Sequence, residues 1–228
     1  MIDYPTSEVL ERDLLLATSD GQDVVPTVAG LLLFGRDERV TELLPRAAVT
    51  ATRFSGDSPQ SPIVERVKLT GNLLNVYEGL TRFLRRYCDL GDVRPRAALE
   101  SNPDESPVPA RANYHRGVVT EAITNMLAHR DLALRDLPSR LHVFDHSLEF
   151  VNSRRSGGFS PLAQKAIRYG MPQRLNPQLA SVLTSAAYGL PLSLRGLPAL
   201  LREARRFSNR KAEIVAFNDE FRLRIYGF

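Results

Sequence analysis

The sequence predicts an α+β fold, a two-layer sandwich whose helices lie on one face of a mixed, mostly antiparallel sheet. Two segments, residues 140–152 and 212–228, each have the pattern of a β-hairpin around a polar turn. Helical segments precede and separate these hairpins. This order lacks the regular alternation of strand and helix that a parallel Rossmann-type sheet would show.

The N-terminal half begins with a predicted helix at residues 7–18. Residues 24–35 are apolar and suit either a strand or a buried helix, because their periodicity does not separate the two. Residues 46–57 alternate small or β-branched side chains with polar ones, which predicts a strand. Apolar side chains recur at helical spacing over residues 71–87 and predict a helix with a basic C-terminal end.

A stretch rich in Pro, Ser and Asn, residues 94–112, is predicted to be a loop or a boundary. We therefore divide the chain into an N-terminal α/β lead-in region, residues 1–110, and a second region, residues 111–228. Residues 114–131 open the second region with a predicted amphipathic helix that has one apolar face.

The rest of the second region is predicted to contain two hairpins and two helices. The first hairpin pairs residues 140–144 with residues 148–152 around a turn at Asp145 and His146. The remaining predicted elements are helices at 177–190 and 197–207 and a hairpin at 212–228.

The composition indicates a folded globular protein with a weak positive charge. Hydrophobic residues make up 43% and charged residues 25% of the 228 residues, and the formal net charge is +4. Only three of the 30 basic residues are Lys, and Arg binds phosphate through two nitrogens at once, which suits nucleotides or nucleic acid. We favour the simpler explanation that Arg is the preferred cation, because 26 acidic residues offset most of the charge.

The sequence carries no signal for secretion or for membrane insertion. Its apolar runs are too short to span a bilayer, and its N-terminus is acidic and lacks the apolar core of a signal peptide. The one cysteine, Cys88, forms neither a disulfide within the chain nor a cysteine-based metal cluster, and we expect a small buried side chain there. A cytoplasmic protein without a membrane partner is therefore expected.

Three polar side chains, Glu121, Asn125 and His129, recur at four-residue steps in the helix predicted at 114–131. Four residues advance a helix by about 400°, so neighbours in this row point within about 40° of each other. The amide oxygen of Asn125 is a suitable ligand for Mg²⁺, and the Glu121 carboxylate can accept a proton from a water that attacks a phosphate. Taken alone, the row is more often an ordinary solvated helix face.

Two other groups of polar side chains are weaker candidates for a binding site. His142 and His146 flank the first predicted turn with Asp145, but no third metal ligand is evident, and we favour ordinary surface histidines. A basic cluster near residue 206 could hold nucleic-acid phosphate, although a solvated helix end is the favoured interpretation, because only Phe207 could supply an aromatic platform. The basic cluster consists of Arg202, Arg205, Arg206, Arg210 and Lys211.

Four segments carry a resemblance to a known family. They are "PTVAGLLLFGRD" at 26–37, "YHRGVVTEAITNMLAHRD" at 114–131, "LHVFDHSLEFVNSRRSGGF" at 141–159 and "RLNPQLASVL" at 174–183. Together they resemble the C-terminal ATP-binding module of Schlafen-AlbA-type transcriptional regulators, which are often labelled RecG-like helicases. That module is similar to the GHKL group with its Bergerat fold, which includes gyrase, Hsp90, histidine kinases and MutL. No P-loop motif is present, so a helicase motor of the P-loop kind is not encoded here.

The resemblance implies that residues 111–228 are a GHKL-like ATP-binding region that uses ATP and Mg²⁺. Glu121 would be the general base and Asn125 the Mg²⁺ ligand. Asn152 or Ser153 would lie where related proteins place an adenine-contacting acid. The other implied nucleotide-binding positions lie at the end of the helix and in two glycine-containing loops. They are His129, Arg130, Asp131, Gly157, Gly158 and Gly196.

Two departures from the family pattern are evident. The loop that carries Gly157 and Gly158 is longer than the short turn of the family. In the second glycine motif, here "LRGLP", Leu194 replaces the first glycine and only Gly196 is kept. A leucine there would restrict a lid over the triphosphate, although Arg195 could compensate in part by contacting phosphate.

Two functions follow from the resemblance and its departures. The first is an ATP-binding, weakly hydrolysing module that serves a DNA-binding transcriptional regulator. The alternative is a degenerate GHKL-fold domain without nucleotide that acts as an interaction or dimerisation module, for example as a homodimer. The family's N-terminal Schlafen-AlbA domain, its expected nucleic-acid-binding part, is not found in this sequence. DNA would therefore be bound through a separate domain or through the Arg residues of this module.

Overall fold

A sheet of six strands forms the centre of the molecule in a computed structural model of the chain. The structure describes residues 6–92, 113–132, 138–153, 176–185, 196–217 and 220–228. The strands are β1 Ala17–Asp20, β2 Asp23–Pro26, β3 Val49–Phe54, β4 Ile63–Leu69, β5 Asp89–Gly91, β6 Asn113–His115, β7 Ser139–Val143, β8 Ser147–Ser153, β9 Glu213–Phe217 and β10 Glu220–Tyr226. The helices are α1 Val28–Phe34, α2 Asp37–Leu43, α3 Leu73–Tyr87, α4 Arg116–Ala128, α5 Pro177–Leu183 and α6 Leu197–Ser208.

The strand order in the central sheet is β4-β3-β7-β8-β10-β9. Only the pairing of β3 with β7 is parallel, and the other four pairings in this sheet are antiparallel. Strands β1 and β2 form a separate antiparallel hairpin, and β5 and β6 form a short parallel pair. The mostly antiparallel sheet confirms the predicted α+β class.

The two faces of the central sheet differ in polarity. Ala51, Leu141, Phe150 and Leu223 lie side by side across four neighbouring strands and belong to the same buried core as residues of α3, α4 and α6. The next row along the strands reads Thr52, His142, Glu149 and Arg224, and its side chains point to the other face because successive residues of a strand alternate. The apolar face therefore positions α4 above the sheet.

Helix α4 is buried on almost every side. It contacts α3, α5, α6 and β8, and its buried residues include the polar Thr120, Glu121 and Thr124. The predicted helix is confirmed, but the prediction that it has a single apolar face is wrong. Neighbouring elements surround this helix, so the buried side chains of Glu121 and Thr124 form hydrogen bonds with protein groups.

The predicted helix at 71–87 is confirmed as α3. Its first turn is capped by Asn72, whose side-chain oxygen accepts a hydrogen bond of 3.0 Å from the backbone nitrogen of Asn75. Leu73, Leu80 and Leu84 are buried on the face that meets the core. The side chain of Cys88, just after the helix, is buried as predicted.

Helix α1 resolves the ambiguity left by residues 24–35. The segment is split between β2 and α1, and Thr27 caps α1 by accepting a hydrogen bond of 3.2 Å from the backbone nitrogen of Gly30. A Cβ atom on Gly30 would lie 2.0 Å from the carbonyl oxygen of Leu16, so the close approach of these two backbone segments requires glycine.

The other predicted elements are confirmed with small changes. The strand at 46–57 is β3, the two hairpins are β7–β8 and β9–β10, and the two C-terminal helices are α5 and α6. The first helix is shorter than predicted and forms a π-helical turn at Val9–Asp13. Helix α2 and strands β1, β4, β5 and β6 were not predicted. The predicted boundary at residue 110 lies outside the described residues, and the pairing of β3 with β7 joins segments from its two sides in one sheet.

Candidate functional site

The carboxylate of Glu121 is the centre of the candidate site. It lies on α4 with 5% of its surface exposed. Its Oε1 atom accepts a hydrogen bond of 2.8 Å from Nδ2 of Asn125 and another of 3.0 Å from the backbone nitrogen of Gly196. Three of the residues that the sequence singled out are therefore in direct contact, including one that lies 75 positions away along the chain.

Gly196 has a backbone conformation that favours glycine. Its φ angle is +82°, and it occupies the N-cap position of α6. Its carbonyl oxygen accepts hydrogen bonds from the backbone nitrogens of Ala199 and Leu200, both at 3.1 Å. The Glu121 carboxylate thus meets the positive end of the α6 dipole, where negative charge is stabilised. This contact fixes the start of α6 against the middle of α4.

The row of Glu121 and Asn125 offers oxygen atoms to a cation. The Asn125 amide donates to Glu121, so its Oδ1 atom faces away from the carboxylate, and within the described residues Oδ1 accepts no hydrogen bond. The Glu121 Oε2 atom likewise accepts none from the described residues. An amide oxygen and a carboxylate oxygen on one helix are hard ligands of the type that Mg²⁺ prefers. The chemistry of these two oxygens fits the predicted Mg²⁺, and the role of Asn125 as its ligand remains a prediction.

The C-terminal end of α4 is joined to the end of β8. The backbone nitrogen of Asp131 donates to the carbonyl oxygen of Ser153 at 2.9 Å, and the Ser153 hydroxyl donates to the carbonyl oxygen of Asp131 at 3.0 Å. His129 occupies the C-cap position, and its backbone nitrogen donates to the carbonyl oxygen of Asn125 at 2.9 Å. The structure therefore brings Asp131 and Ser153 together, and it places His129 one turn beyond Asn125.

Arg130 is buried at this end of the helix. Only 2% of its surface is exposed, and its guanidinium donates a hydrogen bond of 2.6 Å to the carbonyl oxygen of Ala47, just before β3. Among the described residues no acceptor meets its Nε atom or its other terminal nitrogen. Burial lowers the pKa of Arg130 to about 10, so the group stays charged at neutral pH. Arg130 has no carboxylate partner among the described residues, and a buried cation of this kind is costly and gives this corner of the site a positive potential.

Asn176, which directly precedes α5, forms hydrogen bonds with the C-terminal end of α4. Its position before a helix did not indicate this role. Its Nδ2 atom donates to the carbonyl oxygens of Ala128 and Arg130, at 3.0 and 2.8 Å. Terminal carbonyls of a helix lack partners within the helix, so this side chain satisfies the carbonyl of Ala128, the last residue of α4, and also that of Arg130 just beyond the C-cap. No periodicity signals such a contact, because it joins residues more than 40 positions apart. The motif "RLNPQLASVL" was the only hint in the sequence.

Asn152 lies in the core on β8, with 5% of its surface exposed. Its Nδ2 atom donates to the carbonyl oxygen of Met126 at 2.9 Å, and its Oδ1 atom accepts from the Ser139 hydroxyl at 2.9 Å. The side chain therefore ties β8 to both α4 and β7. Its predicted contact with adenine remains a prediction, as does that of Ser153. Gly157 and Gly158 lie outside the described residues.

The histidines of the first hairpin form separate pairs with carboxylates. His142 Nδ1 lies 3.0 Å from Glu149 Oε1, and His146 Nδ1 lies 3.0 Å from Asp57 Oδ2. Burial alone would raise the pKa of Glu149, but the hydrogen bond and charge of His142, aided by two nearby arginines, outweigh it and hold the pKa below its usual value. Across the described ranges, no three His, Cys, Asp or Glu side chains are grouped as a metal site would require.

Comparison with known proteins supports the fold alone. No protein-family model and no curated protein matches the chain. The crystal structure of the DIP2311 protein from Corynebacterium diphtheriae is similar, with a TM-score of 0.61 and 19% sequence identity. The alignment covers 98% of this chain and 41% of that chain, so this chain spans less than half of that protein's length. At this identity the likeness carries no inference about activity or ligands.

Helix length bears on the expected absence of a membrane partner. No helix in the described parts of the chain combines the length and the apolar character that crossing a bilayer requires.

Proposed function

We propose that this chain is an ATP-binding regulatory module of the GHKL type that serves a DNA-binding transcriptional regulator. The observation that carries the proposal is the convergence of Glu121, Asn125 and Gly196 on one surface of α4. The family resemblance assigns these three positions to the base, the metal ligand and the second glycine loop. Spacing along the helix explains why Glu121 and Asn125 are neighbours, but it does not explain the contact with Gly196.

The chain's own residues have distinct tasks in this proposal. Asn125 would bind Mg²⁺ through its free amide oxygen while its Nδ2 atom keeps the Glu121 carboxylate oriented. Glu121 would accept a proton from an attacking water through Oε2, because its Oε1 atom is held by the two donors. The charge of Arg130 favours a polyanionic ligand nearby. Bound Mg²⁺ would supply neutralisation of charge on the triphosphate.

Thermal unfolding in the presence of Mg·ATP and of a non-hydrolysable analogue tests the proposal. Ligand at about 100 times its Kd stabilises the folded state by about 2.7 kcal/mol, which raises the Tm of a chain of this size by about 5–11 °C. We expect Asn125→Ala to abolish most of this shift. Asn75→Ala, which changes an Asn on α3 instead, is the matched control and should retain the shift.

The hydrolysis step is tested separately. Glu121→Gln keeps an oxygen that can accept the two hydrogen bonds but removes the base. We expect this variant to retain the nucleotide-induced rise in Tm and to lose phosphate release. No rise with millimolar nucleotide in the unchanged protein, or an equal rise in Asn125→Ala, would contradict nucleotide binding at this site.

A second candidate function is a degenerate GHKL-fold domain that acts as an interaction or dimerisation module. It is favoured by the same hydrogen bonds, since the Glu121 carboxylate links Asn125 on α4 to Gly196 at the start of α6. Those contacts suffice to explain the residues as a structural link between α4 and α6. Light scattering with and without Mg·ATP distinguishes the two, because the second function predicts a homodimer whose formation does not depend on nucleotide.

A further inference from the structure

The exposed side of α6 carries a row of cations. Arg205 and Arg206 lie three and four residues after Arg202, and Asn209 lies four and three residues after them, which places all four on the same side of the helix. All four are exposed and line an open cleft of about 510 Å³. The exposed Lys211 follows just beyond the helix. We call the surface formed by Arg202, Arg205, Arg206 and Asn209 the α6 cleft.

Among the described residues, the charges of Arg202 and Arg205 are not neutralised by a carboxylate. Glu203 approaches Arg206 at 3.7 Å, and the same carboxylate lies 3.7 Å from His115. In the described part of the chain no carboxylate lies within ion-pair distance of Arg202 or Arg205. The dipole of α6 favours cations in its last turn, which accounts for Arg205 and Arg206. It does not account for Arg202, which lies one turn earlier.

The lining of the α6 cleft suits phosphate better than a protein surface. Its described residues offer guanidinium and amide groups, and none of them is aromatic or aliphatic. The centre of a stable protein–protein interface is rich in aromatic and apolar side chains. Contacts to a sugar-phosphate backbone, by contrast, come mainly from Arg, Lys and Asn, and Arg can bind a phosphate through two nitrogens at once.

The aromatic ring of Tyr226 is already covered by Arg210, which follows α6. The Arg210 guanidinium lies 3.7 Å from the centre of the Tyr226 ring, and the Tyr226 hydroxyl donates a hydrogen bond to Glu213. Stacking of unpaired bases on aromatic side chains is the usual way to bind single strands. Since Tyr226 is covered in this way, the cleft fits the backbone of a duplex rather than exposed bases.

We propose that the α6 cleft binds the phosphate backbone of duplex DNA without reading its sequence. This inference deepens the DNA-associated role proposed above, but it does not depend on nucleotide binding at Glu121. The module would then contribute directly to DNA affinity through its own arginines. Each Arg of the cleft that neutralises one phosphate contributes about −0.9 to the slope of log K against log salt, so three give a slope of about −2.7.

The test is a titration of a labelled DNA duplex with the 228-residue chain in buffer without nucleotide, at several salt concentrations. A slope of about −2.7 predicts that affinity falls about 40-fold between about 50 and 200 mM salt. We expect the variant Arg202→Gln/Arg205→Gln to weaken binding of all duplex sequences alike and to reduce the slope by about 1.8.

The matched control is Arg39→Gln/Arg82→Gln, which removes the same charge from exposed arginines of α2 and α3. It should leave both affinity and slope close to those of the unchanged protein, and thermal unfolding should show that both variants are folded. Absence of duplex binding at about 50 mM salt, or an equal loss in the control variant, would overturn the proposal. Tighter binding of poly-glutamate or of single-stranded DNA than of duplex would overturn the assignment of the partner.

Discussion

Replacing Glu121 with Ala tests how firmly α6 is anchored to α4. The change removes the acceptor of the Gly196 backbone nitrogen and of the Asn125 amide. A hydrogen bond to a charged group contributes about 1.5–3 kcal/mol to stability. The backbone nitrogen of Gly196 is half-buried, so removing its acceptor costs the folded protein most of that energy. The Asn125 side chain is half-buried and can form a hydrogen bond with water instead, so the loss of its bond to Glu121 costs less free energy. We expect a loss of about 2–4 kcal/mol in the free energy of unfolding.

Equilibrium unfolding in urea without nucleotide measures this loss, and thermal unfolding should show a Tm lower by about 5–15 °C. Glu121→Gln should lose less than Glu121→Ala, because the amide oxygen still accepts both hydrogen bonds. Asn125→Ala should lose only about 0.5–1.5 kcal/mol, since Gly196 keeps its acceptor. The order of the three variants is therefore as informative as the size of each loss.

A loss of less than about 0.5 kcal/mol in Glu121→Ala would refute the reasoning, since exposed surface positions show changes of that size. It would mean that the carboxylate does not hold the start of α6. Equal losses in Glu121→Ala and Asn125→Ala would show that the contact between these two side chains, and not the one with Gly196, carries the stability.

Three further changes probe other contacts. In Glu149→Gln the loss of stability should be about 1.5–3 kcal/mol at neutral pH. The folded pKa of this carboxylate is lowered, so its contribution is present above the unfolded value of 4.5 and is lost as the pH falls through the folded pKa. The difference between variant and parent, measured by urea unfolding from neutral to acidic pH, should therefore shrink below about pH 4.5. Asn176→Ala should cost about 1–3 kcal/mol by removing the donor to the carbonyls of Ala128 and Arg130, and hydrogen exchange should become faster in the last turn of α4. Gly30→Ala should cost more than about 3 kcal/mol, because its Cβ would lie 2.0 Å from the Leu16 carbonyl oxygen, and a folded protein of near-normal Tm would contradict that contact.

Elements with strong local patterns could be predicted from the sequence. The spacing of Leu73, Leu80 and Leu84 determines the buried face of α3, and alternation along β7 and β8 predicts their hairpin. Strand β4 escaped prediction because it lies at the edge of the sheet, where Ile63 and Val64 are exposed rather than buried in alternation. The surroundings of α4 also escaped prediction, because burial of polar residues depends on neighbours that periodicity does not specify.

The candidate site likewise contains contacts that follow from local spacing and contacts that do not. The proximity of Glu121 and Asn125 follows from helix geometry alone. The contact with Gly196 could be expected only from the family resemblance, since no local rule links positions so far apart. The hydrogen bonds of Asn152 and Asn176 to α4 follow from no local rule, because a short amide side chain that bonds to backbone carbonyls leaves no periodic pattern in the sequence.

Helix α6 links the candidate nucleotide site to the α6 cleft. Gly196 contacts Glu121 at one end, and Arg202 to Arg206 lie about 9–15 Å further along the axis. That separation exceeds the Debye length of about 8 Å at physiological salt, so screening weakens the direct effect of a bound nucleotide's charge on the cleft. We therefore expect an effect of Mg·ATP on DNA affinity to pass mainly through movement of α6. We expect Mg·ATP to change the Kd for duplex DNA, and DNA to change the Kd for nucleotide by the same factor. In Glu121→Ala, where the contact with Gly196 is absent, this coupling should disappear, and its persistence there would show that the α6 contact does not transmit it.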